Sequence, residues 1–208
     1  MPRFTLVPDP SFMPLRARLR ERVEAAGAAL TPETFKDLLD APMRSILQSA
    51  FADVGAHAGT VWFAVYPPAE SISKNADGCL VPVFSTGPGG ERFEREFRQP
   101  LNRGLVSMVF KNQRPFCENQ VYANQGQDKT IDTATGMLTC AMIVVPLHFA
   151  DETRGVVSCV QLKPAGSSEP DPPGFGPGAL DRIHAAAVVL SRLIDHVLVG
   201  MSVGWHVM

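Results

Sequence analysis

The sequence has few cysteines and no arrangement of them that is typical of a metal site. Four cysteines occur among 208 residues. Cys79, Cys117, Cys140 and Cys159 lie far apart, without a Cys-x-x-Cys pair or a cysteine–histidine cluster. Zinc sites bring such ligands together at short spacings, so we expect no metal ion and no cofactor.

An excess of charge of one sign and a long apolar run are also lacking. The formal net charge is −2, which gives no electrostatic case for binding nucleic acid or an anionic membrane. No segment approaches the roughly 18 to 20 consecutive apolar residues of a membrane span. The N-terminus carries prolines and arginines where a signal peptide needs apolar residues. We therefore expect a soluble, cytoplasmic protein with neither a nucleic-acid nor a membrane partner.

The chain is rich enough in apolar residues to form one compact domain, since 45% of its residues are hydrophobic. Residues 1–30 are predicted to be an extension that is partly helical, 31–200 a single domain, and 201–208 a tail. Thr31, followed by Pro32 and Glu33, is typical of a helix start. Pro42 is expected to break or restart that helix.

The order of the remaining elements indicates the fold class. Strands are predicted over 60–67, 79–87, 94–97, 138–147 and 154–163, with a short extended piece over 115–121 and a loop over 68–78. Gly104 is predicted to open a short helix, and a long helix of about six turns follows from 179. Too few helices separate the strands for βαβ crossovers, so we expect an α+β fold. Its central antiparallel sheet should have five or six strands, with the first and last long helices on one face.

Three segments, within a match that spans about residues 35–198, resemble the GAF domain. RGLVSMVFKNQRPFCENQV resembles the family's glycine-opened helix and the short strand after it. MIVVPL resembles its strand that ends in proline, and RGVVSCVQL resembles its next strand, with Gly155 in the expected place. The resemblance implies a regulatory domain that binds a small molecule.

Within that family, the pattern is most similar to the cyclic-nucleotide-binding domains of phosphodiesterases and adenylate cyclases. The matching positions are Asp132, Thr135, Gly136 and Thr139. The resemblance implies that the acid and both threonines surround a purine, that Phe84 packs against the base with Ser85 beside it, and that the backbone at Val106 faces the cyclic phosphate. The residues themselves also allow a second interpretation, in which Asp132 and Thr135 only shape a turn and cap a short helix.

Some positions depart from the pattern of those domains. Lys163 and Phe175 are kept, but Leu162 replaces an asparagine, and Ala179 and Leu180 replace an acidic pair. Asp128 stands where the family can present a tyrosine to the phosphate, and a carboxylate there would repel an anion.

Two other functions remain open for a chain of this pattern. Free methionine sulfoxide reductases use the same fold with a nucleophilic cysteine, but residues 128–136 contain none, and Cys117 and Cys140 are the nearest candidates. An interaction module without a ligand is the other alternative. We expect no catalytic residue and therefore no enzymatic activity.

The last helix is too broadly apolar to cover one sheet only. Its main stripe is widened by Ala185, Val188, Val189, Leu193 and Leu198. A helix that is apolar around more than half of its circumference is usually covered on two sides. The pattern therefore predicts a homodimer formed through the terminal helices.

Overall fold

The computed structural model describes residues 12–67, 78–87 and 90–204. The predicted loop over 68–78 lies outside the described residues except for Gly78, as do the first part of the extension and the end of the tail. The helices are α1 (Phe12–Ala28), α2 (Pro32–Asp53), α3 (Gly90–Glu96), α4 (Leu105–Asn112), α5 (Thr130–Thr135) and α6 (Ala179–Ser202). The strands are β1 (Ala58–Val65), β2 (Cys79–Ser85), β3 (Gln99–Pro100), β4 (Phe116–Glu118), β5 (Met137–Phe149) and β6 (Glu152–Pro164).

The strands form one antiparallel sheet in the order β3-β2-β1-β6-β5-β4. Its centre is the long β5–β6 hairpin, in which Val145 faces Val157. Helices α2 and α6 contact each other and pack on one face, and α1 packs on α6. The predicted α+β fold, with an antiparallel sheet and the first and last long helices on one face, is therefore confirmed.

Helix α2 begins where the sequence predicts and continues where it was expected to stop. The Thr31 hydroxyl accepts a hydrogen bond from the amide of Thr34, and the Thr34 hydroxyl accepts one from the amide of Thr31. The break expected at Pro42 is wrong, because the helix runs through it to Asp53. A proline inside a helix costs about 3 kcal/mol. Burial of an apolar stripe that continues on both sides of Pro42 offsets that cost. The stripe consists of Phe35, Met43, Leu47 and Phe51.

The segment predicted as a strand over 94–97 is helical instead, as part of α3 and the turn after it. Phe93 and Phe97 lie four residues apart, so a helical turn places both rings on one side. Their centroids are 5.0 Å apart. Glu94 accepts a hydrogen bond of 2.7 Å from the amide of Ser85 on the open edge of β2 and pairs with Lys36 of α2. Side-chain contacts thus replace strand pairing along this edge.

Apolar clusters cover both faces of the sheet. The larger cluster lies beneath α2 and α6, and the smaller one lies on the opposite face around Trp62, Val106 and Val156. Among the described residues, α6 is the one helix whose length and composition would allow it to cross a membrane. Its stripe of Ile183, Leu190, Ile194 and Leu198 is buried in the larger cluster, so core packing accounts for part of that composition.

Candidate ligand-binding site

A cavity of about 860 Å³ lies on the sheet face opposite α2 and α6. Its floor consists of β1 and β6 side chains that share this face in the register, where Thr60 is opposite Ser158 and Trp62 is opposite Val156. Its walls come from α3, from the start of α4 and from α5. Small-molecule pockets are typically about 300 to 1,000 Å³, so the cavity has the size of a ligand site.

One wall of the cavity is aromatic. The Trp62 ring stands edge-on to Phe93 and to Phe97, with centroid distances of 5.5 and 5.9 Å. The Trp62 indole N–H donates a hydrogen bond of 2.8 Å to the Ser158 hydroxyl. This contact satisfies the buried indole and fixes the ring against the floor. A fixed aromatic surface of this kind favours a flat apolar or heteroaromatic molecule.

Hydroxyl groups of the floor keep hydrogen-bonding capacity for a ligand. Because Ser158 accepts from Trp62, its own hydroxyl hydrogen is free to be donated. The Thr60 and Ser85 hydroxyls lie 3.2 Å apart, and one of the two hydrogens in this pair is left over. The cavity therefore offers at least two donors at its floor.

Gln99 and Asp128 form a buried polar corner beside the start of α4. The Gln99 side-chain amide donates to the Arg103 carbonyl at 2.9 Å and to Asp128 Oδ2 at 3.2 Å. Gln99 is 2% exposed, and no hydrogen bond from a described residue reaches its Oε1. That oxygen is available to accept a hydrogen bond from a ligand N–H group.

The Asp128 carboxylate is held in its charged form by this corner. Burial would raise the pKa of Asp128, but hydrogen bonds from Thr130 and Gln99 and the charge of Arg103, whose Nε lies 2.8 Å from Oδ2, together lower that pKa. The negative charge is therefore balanced within the protein.

Asp132 and Thr139 are brought together, although mainly to bind each other. The Thr139 hydroxyl and amide donate to the two Asp132 carboxylate oxygens at 2.6 and 3.1 Å. The Gln127 side-chain amide adds a third hydrogen bond of 2.9 Å. Three of about four acceptor positions of this carboxylate are thus occupied without any ligand.

Thr135, Val106 and Ser85 also line the cavity. The Thr135 hydroxyl donates to the Ile131 carbonyl at 2.9 Å within α5, so it caps its own helix. Val106 lies in the first turn of α4, two residues after the N-cap Gly104, whose positive φ of 84° favours glycine. No side chain among the described residues caps this helix start, so its first amides can bind an anion.

Phe84 is the one predicted site residue that the structure places elsewhere. The register of β1 and β2 shifts between Val61 and Trp62, so that Val83 is an extra residue in β2. In a regular strand Phe84 would share the cavity face with Pro82, whereas after the bulge it points to the opposite face. It is fully buried in the larger cluster, with the Arg44 guanidinium 5.1 Å from its ring centre. The cluster of Trp62, Phe93 and Phe97 supplies the aromatic surface in its place.

Sequence reasoning missed Thr60, Trp62, Gln99 and Ser158. A signal for the first two was present, because Thr60 and Trp62 alternate within an otherwise apolar strand and therefore share one face. Ser158 lies inside the apolar run of β6 and would have been identified as facing Thr60 only with the register known.

The cysteines lack the environment of a nucleophile. Cys159 is buried in the larger cluster on the other face of the sheet, and burial raises its pKa to about 12. Burial also raises the pKa of Cys117 and of Cys140. A thiolate nucleophile requires a lowered pKa, and no such thiol occurs in the part of the chain that the structure describes. Within the same part, no group of acidic, histidine and cysteine side chains could hold a metal ion.

Comparison with solved structures identifies the fold. The type II free methionine-R-sulfoxide reductase from Thermoplasma acidophilum matches with a TM-score of 0.55 and 15% identity, over 77% of this chain and 95% of that chain. The GAF domain of a phosphoenolpyruvate-protein phosphotransferase from Coxiella burnetii matches with a TM-score of 0.54 and 14% identity, over 92% of this chain and 97% of that chain. The GAF-B domain of DevS from Mycobacterium smegmatis matches with a TM-score of 0.51 and 19% identity, over 80% of this chain and 95% of that chain.

Comparison by sequence adds nothing to this result. Neither the protein-family models nor the curated proteins contain a match. At these identities the structural similarity establishes the fold alone, and the chain has the fold of GAF domains.

Proposed function

We propose that this chain is a regulatory sensor domain that binds a purine-like small molecule in the 860 Å³ cavity and performs no chemistry on it. The observation that carries the proposal is the combination of an aromatic wall at Trp62 with unused polar groups at Ser158 and Gln99. The fold shared with GAF domains, such as that of DevS, supports the same class of function.

A purine matches the groups that the cavity offers. Its flat face suits packing against the aromatic cluster of Trp62, Phe93 and Phe97, in which the Trp62 ring itself is 2% exposed. An aromatic pair contributes about 0.5 to 1.5 kcal/mol beyond burial. Its ring nitrogens accept hydrogen bonds, as the hydroxyls of Ser158 and Thr60 require. An exocyclic amine would donate to Gln99 Oε1, or to the acceptor position that remains on Asp132.

A cyclic nucleotide is the leading candidate within this class. The uncapped start of α4 at Leu105 and Val106 favours a phosphate through its free amides and the helix dipole. Asp128 lies close by, but Arg103 balances its charge. The phosphate of a cyclic nucleotide would therefore meet a neutral corner.

We further propose that signalling proceeds through a homodimer formed by α6. Val189 is 50% exposed and Val199 38% exposed, so this side of the helix is not covered within the chain. Exposed positions follow each other at alternating spacings of four and three residues, which is the spacing of a coiled-coil seam, with Arg192 and His196 as polar interruptions at its centre. These positions are Ala185, Val189, Arg192, His196, Val199 and Val203. A second copy of the same helix is the partner that this repeat fits.

Calorimetry with cyclic AMP, cyclic GMP and adenosine tests the ligand proposal. Val160 shares the cavity face of β6 with Ser158 and lines the cavity, so Val160→Trp should fill it. Val188→Trp adds the same ring on α6, at the far side of the sheet, and serves as the matched control. We expect at least one of the three compounds to bind the wild type and Val188→Trp, with affinity lost in Val160→Trp. If none binds, the purine proposal is wrong and an interaction module without a ligand is the better account.

A further inference from the structure

A second cavity of about 620 Å³ adjoins the first. Gly104, Leu105, Gln127 and Asp128 line both cavities. They form the partition between them, held in place by the hydrogen bonds of Gln127 to Asp132 and of Gln99 to Asp128. The two cavities therefore lie side by side, with these residues between them.

The two cavities have opposite charge. One arginine, Arg92, lines the first cavity together with three carboxylates, those of Glu96, Asp128 and Asp132. Three cations line the second cavity, Arg103, Lys111 and Lys129, against the single carboxylate of Asp128. An anionic group is therefore favoured in the second cavity and disfavoured in most of the first.

The two lysines of the second cavity are free to bind an anion. Asp128 is occupied by Arg103, Gln99 and Thr130, and neither Lys111 nor Lys129 forms an ion pair with a described residue. Lys111 follows Leu105 and Met108 at intervals of three residues, so one face of α4 provides an apolar wall with the ammonium group at its end. The second cavity therefore combines an apolar wall with positive charge at one end.

We infer that the second cavity binds the anionic group, a phosphate or carboxylate, of a ligand whose flat part occupies the first cavity. This inference rests on the proposed function for the position of the flat part. It extends that proposal by specifying a bipartite ligand, in which the anionic group projects beyond the ring system. A nucleotide with an extended phosphate chain has this form, and a cyclic phosphate, which is folded back on its ribose, reaches less far.

The second cavity can be tested alone with inorganic pyrophosphate. Thermal unfolding of the wild type should shift upward with pyrophosphate, because a ligand of the folded state stabilises it. Lys111→Gln combined with Lys129→Gln should abolish the shift. Arg16→Gln combined with Arg18→Gln removes the same charge from exposed positions of α1 and should leave the shift unchanged. An equal shift in both double variants, or no shift in the wild type, would overturn the inference.

Comparison of adenosine with ADP tests whether one ligand spans both cavities. We expect ADP to bind the wild type about tenfold more tightly than adenosine or better, because charge-assisted hydrogen bonds to two lysines are added. The lysine double variant should bind both compounds equally. If adenosine binds and ADP gains nothing, the bipartite ligand is contradicted while the purine proposal stands. If pyrophosphate stabilises the protein and no purine binds, the anion site stands and the purine proposal fails.

Discussion

Thr139 and Asp132 satisfy each other, with the Thr139 hydroxyl 2.6 Å from Asp132 Oδ1 and the Thr139 amide 3.1 Å from Oδ2. This pair ties α5, which forms a wall of the cavity, to the first residues of β5. The two residues implicated by sequence as ligand contacts therefore have a structural role of their own, which must be separated from any contact with a ligand.

A double-mutant cycle measures that role in the absence of ligand. Asp132→Ala should lower the free energy of unfolding by about 1 to 3 kcal/mol, because it leaves the buried Thr139 groups without their acceptor. Combined with Thr139→Val, its effect should be less than additive, with a coupling of about 0.5 kcal/mol or more. Urea unfolding gives these values, and Thr133→Ala at an exposed position of α5 is the control. Additive effects would mean that the pair contributes nothing to stability.

Substitution of Gly155 should disturb the floor of the cavity. A Cβ atom at this position would lie 2.0 Å from the Trp62 carbonyl oxygen, and backbone cannot move aside as a flexible side chain can. Gly155→Ala should therefore lower the free energy of unfolding by about 1 to 3 kcal/mol or more. At Gly176 a Cβ would meet nothing within 4 Å, so Gly176→Ala should change the free energy of unfolding by less than about 0.5 kcal/mol. Equal unfolding midpoints would show that the strands are not packed this closely.

Thiol chemistry distinguishes a sensor from a reductase. Cys117 is exposed, whereas Cys159 is buried with a pKa of about 12. Iodoacetamide at neutral pH should therefore modify Cys117 before Cys159, which should react only after unfolding. Free methionine sulfoxide supplied with dithiothreitol should remain unreduced. Methionine formation that disappears in Cys117→Ser or Cys140→Ser would establish the enzymatic alternative.

Sedimentation tests the homodimer. At micromolar concentration the mass should be near twice 22.5 kDa. Val189→Glu places a charge in the seam of the proposed coiled coil and should give a monomer, whereas Val188→Glu lies beside the seam and should leave the dimer intact. A wild type that sediments as a monomer contradicts the proposal.

The parts of the fold that depend on local periodicity were predictable from sequence. Strands β5 and β6 and helix α6 repeat their apolar residues over many positions, and Gly104 marks the start of α4 by itself. Phe84 could not be placed in the same way, because the bulge at Val83 depends on how β2 pairs with β1. For the same reason the positions of Trp62 and Ser158 across the floor became visible only with the register.

The charge pattern of the site could not be predicted from the sequence alone either. Asp128 is separated from Arg103 and Gln99 by more than twenty residues, and their contacts depend on the path of the chain between β3 and α5. Sequence identified Asp128 as a repulsive carboxylate, whereas its pairing with Arg103 balances the charge.

The most direct measurement of the central claim is native mass spectrometry of the purified protein, with the small molecules released from it identified. The account predicts a purine-like compound bound to the wild type and to Val188→Trp and absent from Val160→Trp, in which the cavity is filled. Two results would contradict the account. One is the same set of compounds on all three proteins. The other is a bound compound that has no aromatic ring and is lost only in Val160→Trp.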